Sequence, residues 1–106
     1  MTMFDKREKG FEEKYKHDQE LQFKVEVRRN KLLGIWVAGL MGLEGADAEA
    51  YAKEVVAADF EEPGDADVVR KVLGDLEEKG QEMTEHRLRK QMDALLLEAK
   101  QQVMSE

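Results

Sequence analysis

Apolar residues recur at intervals of three and four along almost the whole chain, and that period, with a single proline to interrupt it, confines the protein to helices. Leu33, Trp36, Val37 and Leu40 fit one helical face, and Phe23 with Val27 extends the stripe backward. Tyr51, Val55 and Ala58 form a second row beside Ala52, Val56 and Phe60. Val69, Val72, Leu73 and Leu76 face inward on a third segment. On a fourth, Leu88, Met92, Leu95, Ala99 and Val103 follow one stripe, widened by Leu96 and Leu97. Lys24–Arg28 alternates like a strand, but only over one short stretch in a helical context. The predicted class is therefore all-α, a small four-helix bundle with a long N-terminal helix or arm. Short connections between amphipathic helices favour antiparallel neighbours.

The ends of these helices are marked by residue chemistry. The first is expected from about Thr2 to Met41, ending at Gly42-Leu-Glu-Gly45, because glycine readily takes the left-handed C-cap conformation. Gly10, Gly34 and Gly39 each cost about 1 kcal/mol against alanine in a helix interior. Weakness is expected around Gly10, and a break between about Lys16 and Leu21. The second helix is expected after Asp47, an N-cap or first-turn acid, and runs to about Phe60. Glu61-Glu-Pro-Gly-Asp65 stops it: proline excludes continuation, glycine supplies the turn, and Asp65 is placed to cap the third helix, about Ala66–Lys79. Gly80 ends that helix and Thr84 caps the fourth.

Composition narrows the function. A chain of 106 residues is one domain's worth, and 42% hydrophobic residues exclude wholesale disorder. A net charge of −7 argues against nucleic acid as a partner. The charge is uneven: residues 44–85 carry fourteen acids against four bases, whereas the first forty residues are close to balanced. There is no cysteine, so thiol chemistry does not enter. The N-terminus has no secretory apolar region, and Leu32–Leu43 falls short of the roughly 20 residues that span a bilayer. A soluble, cytoplasmic protein without direct membrane insertion is expected.

Catalytic and metal constellations are missing from the sequence pattern. Asp59–Arg70 superficially matches a calcium loop, but its fifth position is Pro63 and its twelfth is Arg70, where a bidentate glutamate is required. His17 and His86 are far apart and belong to no spaced ligand set. Ser105, at the terminus, is the only serine. No enzyme and no resident cofactor or metal is expected. Gly34, Gly39 and Gly42 lack the following Lys-Ser/Thr of a phosphate loop and suit close approach of a neighbouring helix; Trp36 is expected as a core anchor. Arg28, Arg29 and Lys31 form the one local basic cluster, read as a solvated face or as an anion contact.

What the bundle pattern does not absorb is the N-terminal segment, MTMFDKREKGFEEKYKHDQE. Phe4, Phe11 and Tyr15 recur at offsets of seven and four among charges, a stripe too thin to bury much against the rest of the chain. An arm of residues 1–19, helical or partly disordered when free, is expected to precede a bundle of residues 20–106. A helix of that length suits a groove, with rings as anchors and charges at a polar rim. His17 titrates near neutrality in principle, which would make such binding sensitive to pH. The residues also allow a generic helical adaptor or a homo-oligomer built on the same stripe.

Phe4-Asp5-x-Arg7-Glu8, then Phe11-Glu12-x-Lys14-Tyr15-x-His17-Asp18-x-Glu20-Leu21-x-Phe23-Lys24, and on through Arg28-Arg29-Asn30-Lys31-Leu32-Leu33-Gly34-x-Trp36, resembles the zeta subunit family, inhibitors of the alphaproteobacterial F-type ATP synthase. Tyr51–Glu62 and Gly64-Asp-x-Asp67-Val are similar to the family as well. The resemblance implies a small four-helix bundle and an N-terminal segment, about residues 2–19, that enters an α/β catalytic interface near the central stalk formed by γ. There it would block rotation in the hydrolytic direction. It assigns partner contacts to Phe4, Asp5, Arg7, Glu8, Phe11, Glu12, Lys14, Tyr15 and His17. The rings would be anchors, and Arg7, Glu8 and Lys14 the ion-pairing set. It places the protein at the inner membrane only through the ATP synthase. Weak ADP or ATP binding through Arg28, Arg29 or Lys31 is an accompanying expectation. Two positions depart from the family pattern: Lys6 where an acid is usual, and Gly10 where a helix former is usual.

Overall fold

The computed structural model describes residues 3–60 and 64–106, with side chains from Asp18 onward in those ranges. It contains four helices, α1 (Met3–Leu40), α2 (Gly45–Ala58), α3 (Ala66–Glu78) and α4 (Glu85–Met104), and no strand among the described residues. The all-α bundle is as expected. Part of the expected turn, Glu61 to Pro63, lies outside the described residues.

α1 is a single helix of 38 residues, without the expected break between Lys16 and Leu21 or interruption at Gly10. No glycine or proline lies between Lys16 and Leu21, and one isolated glycine costs less than the ladder on both sides of it supplies. Its end is as expected. Leu43 N donates to Ala38 O at 2.8 Å and Gly42 N to Gly39 O at 3.2 Å, the two-bond closure that needs a left-handed residue, and Gly42 has φ +79°.

Neighbouring helices are antiparallel, as the contacts along them show. Along α1 toward α2, Phe23 meets Phe60 and Gly34 meets Ala52. Toward α4, Arg28 meets Gln102 while Trp36 lies beside Arg87 and Gln91. Between α2 and α3, Tyr51 reaches Asp75 and Glu54 reaches Lys71. α1 thus packs chiefly against α2 and α4, with α3 leaning on both of these.

Leu33, Val37, Val55, Val68, Val72, Leu76 and Leu88 are fully enclosed, each large side chain contributing about 1.5–3 kcal/mol by its removal from water. The α4 stripe Leu88, Met92, Leu95, Ala99 and Val103 is buried throughout, as its period predicts. Other expectations need correction. Trp36 is only partly buried and packs against the core from its edge, so Leu33 and Val37 are the anchors. Leu97 is exposed, because it lies off the buried stripe of α4. Val68 is buried and was not in the predicted set. Of the three small positions on α1 and its end, Gly34 alone meets a neighbour: a Cβ there would lie 2.5 Å from Ala52 Cα, while Gly39 and Gly42 face open space.

Polar contacts fix the outer helices. The Tyr51 hydroxyl donates to Asp75 Oδ2 at 2.8 Å, Lys71 Nζ lies 3.1 Å from the same oxygen, and Lys71 also stands over the Tyr51 ring at 5.2 Å. Burial, and then the bond to the Asp75 carboxylate, push the Tyr51 pKa well above the usual phenol range. Two polar side chains are buried as well: Asn30 accepts from Arg29, and Asp67 from Arg70. Thr84 Oγ1 accepts from Arg87 N at 3.1 Å, as predicted. Asp65 occupies the N-cap position of α3 without a side-chain cap bond, and its carboxylate meets Arg89 at 3.1 Å instead. α2 begins at Gly45, three residues before the expected start, and Asp47 lies in its first turn, one of the two places expected for it.

Candidate partner-binding site

The expected contact residues Phe4, Asp5, Arg7, Glu8, Phe11, Glu12, Lys14, Tyr15 and His17 all fall on the N-terminal turns of α1; their side chains lie outside the described residues. At 100° per residue an unbroken helix brings the Cα positions of 4, 11 and 15 within about 40° of one another around its axis. The segment that follows is largely free of the bundle. Asp18, Gln19, Glu20, Gln22, Phe23 and Lys24 are exposed, and Leu21 is half-buried. Overall dimensions of 65 × 25 × 21 Å agree: a helix of 38 residues is about 57 Å long and outruns its partners.

The bundle starts where Phe23 stacks on Phe60. The ring centroids are 5.8 Å apart and the planes inclined by 29°. Both rings remain largely open, Phe23 53% and Phe60 60% exposed. Sequence spacing assigned both to inward stripes. α2 ends at Ala58, however, so Phe60 lies beyond the helix that would have turned it inward. On one side the pair borders a groove of about 410 Å³ with Glu26, Arg29, Asp59, Gly64 and Asp65. On the other, Phe60 borders a groove of about 350 Å³ with Val27, Lys31, Glu49, Lys53 and Val56. Two exposed phenylalanines 37 positions apart give no joint signal in the sequence, so this pair was missed.

The basic cluster does not form one site. Arg28 Nη1 donates to Gln102 Oε1 at 3.0 Å and its other terminal nitrogen pairs with the Glu106 carboxylate. Arg29 Nε and Nη2 both donate to Asn30 Oδ1, at 3.2 and 3.0 Å. Lys31 is exposed on the second groove. The three charges are shared among three neighbourhoods, because successive helical residues point 100° apart. Among the described residues no group of three or more His, Asp or Glu side chains is placed to hold a metal, and no helix is long and apolar enough to cross a membrane.

A family model for ATPase inhibitor subunit zeta matches residues 1–102. A protein solved by solution NMR is 53% identical to the chain, with a TM-score of 0.72; the match covers 80% of this chain and 96% of that one. No curated sequence matches the chain.

Proposed function

The chain belongs to the ATPase inhibitor subunit zeta family, and we propose that it inhibits by placing its N-terminal helical segment, residues 1–19, in an α/β catalytic interface of the F-type ATP synthase near γ. Membership of an ATPase inhibitor family implies an ATP synthase as the partner. What supports the finer reading is the course of α1. It is one continuous helix that begins at Met3, thirty residues before Leu33, the first of the buried apolar residues among those described. Among the described residues the buried apolar core runs from Leu33 to Val103.

In this reading Phe4, Phe11 and Tyr15 supply apolar anchors on one narrow arc, and Asp5, Arg7, Glu8, Glu12, Lys14 and His17 meet polar groups at the rim. Such an arrangement follows the general mode in which a helix lies in a groove. A bulky helix wedged beside the rotor obstructs turning without doing chemistry, and the bundle prevents the wedge from passing farther in. Nucleotide binding has less behind it, since Arg28, Arg29 and Lys31 face different neighbours.

Deleting residues 1–19 tests the reading. The shortened chain is expected to keep the helical circular dichroism and cooperative melting of a bundle and to lose inhibition of purified ATPase. Full inhibition by the shortened chain would overturn it.

A further inference from the structure

We propose that the stacked Phe23–Phe60 pair is a second docking surface for the same ATPase, seated on apolar surface with a lysine- or arginine-rich rim at the mouth of the cleft that takes the arm. This rests on the arm reading above. Three observations point to it. The first is exposure: two rings in mutual contact, each more than half open to water, make an apolar patch larger than a scattered surface side chain. Aromatic rings of this kind dominate the energetics of protein contacts when a partner covers them.

The second observation is continuity. Phe23 stands six residues after His17, about 9 Å farther along α1, and no break intervenes in that helix. Lodging the arm therefore fixes the position of Phe23, and Phe60 moves with it because the rings are stacked. A surface that must arrive at the cleft mouth whenever the arm is engaged incurs little further ordering cost when it binds.

The third is charge. Beside the rings the groove has the carboxylates of Glu26 and Asp59, with Asp65 already paired to Arg89, against the Arg29 guanidinium, which is itself held on Asn30. An acidic border favours a basic one opposite and steers the encounter.

The test uses full-length protein. Phe23→Ser with Phe60→Ser is expected to melt close to wild type and to need about tenfold more protein for half-inhibition of purified ATPase. Glu26→Lys with Asp59→Lys is expected to weaken inhibition several-fold at low salt and less at high salt. Should the paired ring change disturb the fold, Phe60→Ser alone, beyond the end of α2, carries the same expectation with a smaller loss. Wild-type potency in both the ring and the charge variants overturns the proposal. So does a concentration-dependent homodimer in sedimentation that the ring variant abolishes, since the occupant is then a second copy. Phe11→Ala with Tyr15→Ala, titrated alongside, separates the two ideas. Loss there with none in the ring variant removes this docking surface alone, whereas no loss there removes the arm reading and with it the cleft mouth.

Discussion

At the scale of single residues, the α1–α2 contact depends on Gly34. Alanine in its place gains about 1 kcal/mol of helix propensity. Its Cβ, however, would lie 2.5 Å from Ala52 Cα, a backbone atom that cannot rotate aside. Forcing the helices apart costs about 1–3 kcal/mol, so Gly34→Ala is expected to lower stability in urea unfolding. Gly74→Ala, where a Cβ meets nothing within 4 Å, is expected to raise it by up to about 1 kcal/mol. Tyr51 makes a pH-dependent contribution. With its folded pKa raised, the folded chain keeps the phenolic proton that the unfolded chain gives up near pH 10. Stability from this residue is fully present below about pH 10 and falls as pH rises further. In melts taken from about pH 8 to 11, Tyr51→Phe is expected to lose less stability than wild type. Legibility differs sharply among such residues. Leu33, Val37 and Leu88 were readable because a core position needs only an apolar side chain at the right period. Phe60 was not, because its environment changes when α2 ends two residues before it. Asn30 and Asp67 were not either, since nothing local distinguishes a buried polar side chain from a solvated one.

At the scale of helices, starts and stops were readable where the signal is local. Thr84 and Asp65 make the point as a pair. Thr84 has φ −96° and ψ 153°, the extended conformation from which a side-chain oxygen reaches back to the helix, and it does so. Asp65 has ψ 6°, lies outside that region and sends its carboxylate to Arg89 on α4. Both residue types are good caps in sequence; the backbone angle that decides between them comes from the packing of the loop. Thr84→Ala is therefore expected to cost about 1 kcal/mol. Asp65→Ala loses only a partly exposed ion pair and is expected to cost less than about 1 kcal/mol. Thermal unfolding of the two variants side by side measures the difference. In α1 the continuous helix means that Gly10 is held in a helical turn at a cost of about 1 kcal/mol relative to alanine. If that turn is completed on the partner, Gly10→Ala should tighten inhibition by up to about fivefold. An unchanged or weaker inhibitor would show that the turn is formed before binding or that the partner needs the glycine.

For the molecule as a whole, the proposed division between an inhibitory arm and a supporting bundle would make binding separable from stability. The described apolar core lies between Leu33 and Val103, and α1 begins far ahead of it. In the arm reading, residues that stabilise the bundle are different from those assigned to inhibition, which is unusual for a small protein, where most large side chains are needed for the core. Phe11→Ala combined with Tyr15→Ala is the strongest check of that separation. Truncating two aromatic residues in a core costs about 3–5 kcal/mol each, enough to unfold a domain of this size. On a projecting arm the same two changes remove only surface, and the melting temperature should stay within about 3 °C of wild type. Inhibition should meanwhile weaken by tenfold or more, as expected for two aromatic anchors removed from one groove. Melting followed by circular dichroism and ATPase titration on the same preparations give both numbers. Lost inhibition with an intact bundle is the outcome the arm reading predicts. Collapse of the bundle would instead place Phe11 and Tyr15 in the core, and α1 would then be a structural helix throughout.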